Sequence, residues 1–140
     1  MGAEPLLRSV DSVVLPVPDL ERGLAFYALG LGHELLWRDD TRGQVGLRLP
    51  DGDTELVLST RLGYAPNWLV GSVHDAVASI VAAGGAVLAG PTEIPVGRLA
   101  VVADPFANAL VLLDLSNGRY ATDAAGQVTG VTARDEVEES

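Results

Sequence analysis

Residues 10–32 read VDSVVLPVPDLERGLAFYALGLG. Residues 10–17 have the composition of a strand, and Leu20, Leu24, Tyr27 and Leu31 then fall at helical spacing. Asp19 takes the N-cap position, where its carboxylate can accept from the first free amides of the helix. Gly30 and Gly32 stop the helix, and three strand-like runs follow at 34–38, 45–49 and 55–59. The unit is β-α-β-β-β.

The same order recurs downstream. A strand at 68–73 leads to His74-Asp75, which open a helix to 83; Gly84-Gly85 stop it, and strands follow at 86–89, 99–103 and 110–115. Asp19 and Asp75 stand 56 residues apart, and GQVGLRLPDGDTELVLS from Gly43 lies over GRLAVVADPFANALVLL from Gly97 at an offset of 54. Neither half buries both faces of its sheet alone. The predicted fold is therefore α+β, with two β-α-β-β-β modules in one chain and eight main strands in curved mixed sheets around a cavity. Module 1 covers about 9–59 and module 2 about 67–115 of one domain spanning 1–140. A polar extension occupies 117–140, and its last seven residues or so are expected to be mobile.

The 140 residues include no Cys, and all nine cations are Arg, against 19 Asp plus Glu, for a formal charge of −10. A chain of this length can hold a core without disulfides. Without Lys or Cys, Schiff-base, phosphate-loop-lysine and thiolate chemistry are excluded. The acidic surface repels nucleic acid and anionic lipid but attracts cations. No apolar run approaches the roughly 20 residues needed to cross a bilayer, and the N-terminus lacks a secretory pattern, so the expected location is cytoplasmic.

Alternation sorts the side chains. Val13, Leu15 and Val17 go under the helix of module 1 with Leu56 and Leu58, while Ser12 shares the second face with Glu55, Val57 and Ser59. Faces that are both largely apolar suit a sheet wrapped around a ligand; a plain two-sided core satisfies the same pattern. Gln44 and Arg48 oppose the apolar set of their strand, and the repeat puts Arg98 at the position of Gln44, where it would need Glu55 or a ligand anion as partner. Trp37, Tyr64 and Phe106 are placed at the cavity mouth. No phosphate-loop glycine pattern and no GxSxG elbow occurs.

VVLPVPDLERGLAFYALGLGHELLWRDD and the closing DPFANALVLLD, with Ala107 where Gly is usual, resemble the vicinal oxygen chelate superfamily, the glyoxalase, bleomycin-resistance and dioxygenase family. The resemblance spans residues 9–115 and implies that fold. It also implies that enzymatic members draw one metal ligand from the first and one from the last strand of each module, commonly His or Glu. The matching positions are Ser12, Val57, Trp68 and Val111. Val and Trp offer no donor, so no metal and no cofactor is expected. His33 and His74 fall outside the cavity face, and Glu55 alone makes a poor site.

The expected function is a metal-free small-molecule-binding protein that sequesters a planar aromatic or cationic compound. Its site would comprise Ser12, Glu55, Val57, Trp68, Arg98 and Val111, with Trp68 either stacking on the ligand or filling the cup. The alternative is a glyoxalase-like lyase or isomerase acting on a small carbonyl compound with a divalent metal. A homodimer is the family habit.

Overall fold

Each predicted module builds one unit of the computed structural model, which describes residues 4–132. The first unit comprises 11–66 and 120–130, and the second comprises 4–10, 67–119 and 131–132. The expected mobile tail lies outside the described residues.

In the first unit the strands β1 (Ser9–Pro16), β2 (Leu35–Asp39), β3 (Gln44–Arg48) and β4 (Glu55–Ser59) run in the order β2-β3-β4-β1. The β1/β4 pair is parallel and the other pairs are antiparallel. In the second, which β5 (Ala65–Leu69) enters at Asn67, β5, β6 (Ala86–Ile94), β7 (Gly97–Ala103) and β8 (Ala109–Leu113) repeat that plan as β5-β8-β7-β6, with β5/β8 parallel. The α+β class, the eight main strands and the doubled β-α-β-β-β module stand as expected.

Helix α1 (Leu20–Leu24) begins at Asp19, whose carboxylate accepts from the Arg22 amide at 2.8 Å. The predicted single α-helix instead changes winding after one turn: residues Ala25–Gly30 form a π-helix. The wider turn sends Tyr27 into the core with Leu20, Leu24, Leu56 and Leu58, and leaves Phe26, Leu29 and Leu31 exposed. Leu31, expected on the buried stripe, is thereby turned outward.

Helix α2 (Val73–Ala82) starts one residue before the predicted His74, because Ser72 is the N-cap and accepts from the Asp75 amide at 3.3 Å. The preceding strand accordingly ends at Leu69 rather than running to 73. Val73 and Ala76 of α2 pack on Val70, Ala100, Val102 and Leu112, with Trp68, Val77 and Ile80 around them.

Asp114 fastens this unit. Only 1% exposed, it accepts from the amides of Val73 at 2.8 Å, Arg98 at 3.0 Å and Ser116 at 3.2 Å, and from the Ser116 hydroxyl at 2.8 Å. One carboxylate thus holds the first residue of α2, where negative charge suits the free amides, to the start of β7. Gly97 makes this approach possible, since a Cβ there would run into the Asp114 carbonyl and Oδ1. Burial pushes the Asp114 carboxyl up, but the hydrogen bonds from Val73, Ser116 and Arg98 outweigh it and hold the group below its ordinary 3.8.

The turn at Asp104 to Asn108 carries Ala107 at φ +71, a left-handed conformation that explains why glycine is usual there. Asp104 keeps the turn closed by accepting from the amides of Phe106 and Asn108 at 2.8 and 2.9 Å and from the Asn108 side chain at 2.8 Å. A C-terminal hairpin, β9 (Arg119–Thr122) with β10 (Val128–Thr132), occupies most of the stretch read as a polar extension.

Two outcomes follow for stability. Asp114→Asn replaces one acceptor oxygen with a donor amid buried N–H groups and should cost roughly 2–4 kcal/mol in denaturant unfolding. Because the folded carboxyl titrates below its ordinary 3.8, the stabilisation is present in full above that value. It is lost as pH falls through the lower folded midpoint, so the wild-type advantage over the variant should shrink there. Ala107→Gly should instead raise the melting temperature, by relief of about 1 kcal/mol of backbone strain offset by glycine's entropy.

Candidate functional site

The face of the first unit that turns away from α1 presents Ser12 opposite Glu55 and Val14 opposite Val57 across the β1/β4 pair. Gly46 on β3 sits between Trp37 of β2 and Val57 of β4. The Trp37 indole lies directly over Gly46, where a Cβ would collide with Nε1, Cε2 and Cδ1. From there Nε1 donates to Glu55 Oε1 at 2.7 Å. The missing side chain at Gly46 is thus what lets a large ring lie flat on the sheet and reach a carboxylate two strands away.

Tyr120 of β9 packs on this ring, with centroids 4.9 Å apart and planes 43° from parallel. Tyr120 and Val128 of the hairpin join Val14, Trp37 and Val57 in one apolar cluster. Burial pushes the Tyr120 phenol up; Arg42 pulls the other way, and Asp39 and Glu55 add to the rise. The result is a wall of one aromatic contact, one carboxylate and one buried hydroxyl, with Ser12 3% exposed.

Of the predicted site residues, Ser12, Glu55 and Val57 come together on this face. Val111 lies on the corresponding face of the second unit, since its neighbour Leu112 points into the cluster under α2. Trp68 does not: it pairs in register with Leu112 and packs with that cluster, on the helix side. Arg98 is corrected likewise. It shares its strand face with Ala100 and Val102 of that cluster, and its Nε donates to Glu93 at 2.9 Å. Arg38 is held by Glu21 and Asp40, each at 2.7 Å, and Arg48 by Glu34 at 2.8 Å. Tyr64 and Phe106 are exposed, whereas Trp37, expected at the mouth, is buried in the wall.

The cause of the inversion is the N-cap. Ser12 stands seven residues before Asp19, and seven before Ser72 is Ala65, so Ala65 and not Trp68 is the second module's counterpart. An alignment displaced by an odd number of residues puts every side chain on the wrong face. The four positions at which the resemblance places metal ligands are therefore Ser12, Val57, Ala65 and Val111. One hydroxyl and three aliphatic groups do not fit a divalent cation, which needs several oxygen or nitrogen donors. Among the described residues no three His, Cys, Asp or Glu gather into a cation site.

A separate open cavity of about 830 Å³ lies within the second unit, where Leu6, Arg8, Leu69, Ala76, Leu115 and Arg119 are among its walls. Arg8 there is paired with Glu4 at 3.2 Å.

A family model described as the Glyoxalase/Bleomycin resistance protein/Dioxygenase superfamily matches residues 9–112. Among solved structures, the chain is similar to methylmalonyl-CoA epimerase from Mycobacterium tuberculosis, with 17% identity, 81% of this chain and 92% of that chain covered, and a TM-score of 0.63. A hypothetical protein from Bacillus halodurans C-125 has 15% identity, with 76% and 93% covered and a TM-score of 0.62. Streptomyces coelicolor methylmalonyl-CoA epimerase in complex with 2-nitronate-propionyl-CoA has 20% identity, with 77% and 97% covered and a TM-score of 0.60. At these identities the likeness is one of fold. Comparison with curated proteins gives no match.

The Trp37 seat can be tested at its base. Gly46→Ala should lift the indole off the sheet, break its bond to Glu55 and disturb Tyr120. The expected cost is roughly 1–3 kcal/mol, with tryptophan emission shifted to longer wavelength. Unchanged stability and emission would show that the ring does not depend on the glycine.

Proposed function

Since the chain belongs to the Glyoxalase/Bleomycin resistance protein/Dioxygenase superfamily, we propose that it is a metal-free small-molecule-binding protein. Its ligand is a planar compound carrying a positive charge or a strong hydrogen-bond donor, taken up on the face formed by Ser12, Trp37, Glu55 and Val57. The observation that carries this reading is the donor set at Ser12, Val57, Ala65 and Val111, which supports binding and sequestration over Lewis-acid chemistry. Trp37 takes the stacking role first given to Trp68, and Glu55, already accepting from the indole, supplies the acceptor. The formal charge of −10 favours a cation over an anion on approach, within the screening length of the solution.

The compound reaches the protein in the cytoplasm on this reading, which the absence of Cys supports. No helix of the described residues is long and apolar enough to cross a membrane. The protein works as a homodimer, a state supported by the exposed apolar residues Val81, Val87 and Leu88 on the second unit.

Calorimetric titration with Mn²⁺, Ni²⁺ and Zn²⁺ should show no one-to-one binding, while a panel of planar cations should raise the melting temperature and anionic carbonyl compounds should not. Stoichiometric metal binding that disappears in Glu55→Gln would overturn the reading and revive the lyase or isomerase alternative.

A further inference from the structure

The face assigned to the ligand is covered by the chain itself. Tyr120 lies on Trp37 and Val128 on the same cluster, and both belong to a hairpin beyond residue 112, where the family match ends. We propose that the β9–β10 hairpin is an intramolecular occupant of the aromatic subsite, with the Tyr120 ring standing where the ligand's ring would lie, and that uptake exchanges hairpin for ligand. The inference rests on the binding reading above and adds its regulation.

Three features make the hairpin exchangeable. It carries its own turn: Asp123 Oδ1 accepts from the amides of Ala125 and Gln127 at 2.9 and 3.0 Å, and the Asp123 amide donates to the Gln127 carbonyl at 3.0 Å. It therefore leaves as a unit without losing its internal bonds. Among the described residues its backbone hold on the sheet is slight, namely the Arg38 amide on the Gly126 carbonyl at 2.8 Å and a single bridge between Arg38 and Gln127. A hairpin of two strands is marginal alone, so its place depends on Tyr120 and Val128. Finally, the occupant is a neutral phenol ring beside the Glu55 carboxylate. A planar cation gains more from the indole face and from Glu55 than Tyr120 does, and this difference in affinity is what can drive the exchange.

Benzamidine, a planar ring with a cationic hydrogen-bond donor, is a suitable probe for the full chain. Titration followed by tryptophan fluorescence should show Val128→Ala binding it roughly five- to tenfold tighter than wild type, because a loosened hairpin raises the competent fraction. In wild type, which needs no variant to fold, benzamidine should speed hydrogen exchange at the Arg38 amide as Gly126 departs. Binding with equal affinities and unchanged exchange at Arg38 overturns the exchange mechanism while leaving the binding reading intact. Absence of binding in both proteins overturns the binding reading and this inference with it.

Discussion

A sheet that is apolar on both faces needs two covers, and the first module is built around that requirement. Leu56 and Leu58 of β4 go under α1 with Leu20 and Leu24. On the same strand Val57 points the other way, beside Val14, and without a cover both would face water. The helix is local and supplies the first cover within a few residues of β1. The second is supplied by Trp37 lying on Gly46, and over it by Tyr120 and Val128 from the far end of the chain. Such a face is costly to leave bare, and the hairpin meets that cost; on the proposed reading a ligand takes its place.

Much of this was legible in the sequence, because alternation and capping are local. The module order, the Asp19 cap, and the common face of Ser12, Glu55 and Val57 all follow from a few neighbouring residues. The second module was read with its first strand inverted. Asp75 resembles Asp19 in its helix-opening context, yet the cap is Ser72, three residues earlier, and an odd displacement exchanges faces. Trp68 was placed in the cup by that parity, and Arg98 by the offset of 54, whereas β7 pairs Ala100 with Leu112 where β3 pairs Val45 with Leu58, a displacement of 55 that exchanges faces as well. Gly46 was a missed signal: an isolated glycine inside an apolar strand marks a close approach, here by the Trp37 ring. The hairpin was less legible still. Its core contribution is two residues, Tyr120 and Val128, in a polar stretch, and their partners lie some sixty to over a hundred residues away in the chain.

The family frame and the family chemistry rest on different parts of the sequence. The frame depends on periodic apolar positions, and many residues satisfy each of them, so it persists at 15–20% identity to solved structures. The chemistry depends on a few side chains, for which Val, Ala and Ser cannot stand in. The residues at positions 12, 57, 65 and 111 here are Ser, Val, Ala and Val, which keep the strand alternation while offering a single donor oxygen. The alternation that carries the fold therefore does not depend on donors at these positions, and such a face is open to apolar contacts.

What such a face selects is decided by what it refuses. Apolar area alone discriminates poorly between ligands of similar size. Glu55 changes this, because a carboxylate beside an indole attracts a cation through both groups and repels an anion through one of them. The hairpin adds a threshold. A ligand must exceed the affinity of a neutral aromatic ring held at high effective concentration, so a compound offering only ring area cannot displace Tyr120, whereas one that adds charge or a donor can. On the proposed reading, carboxylate and hairpin together convert a broadly sticky apolar surface into one that responds to a ring and a charge presented at once.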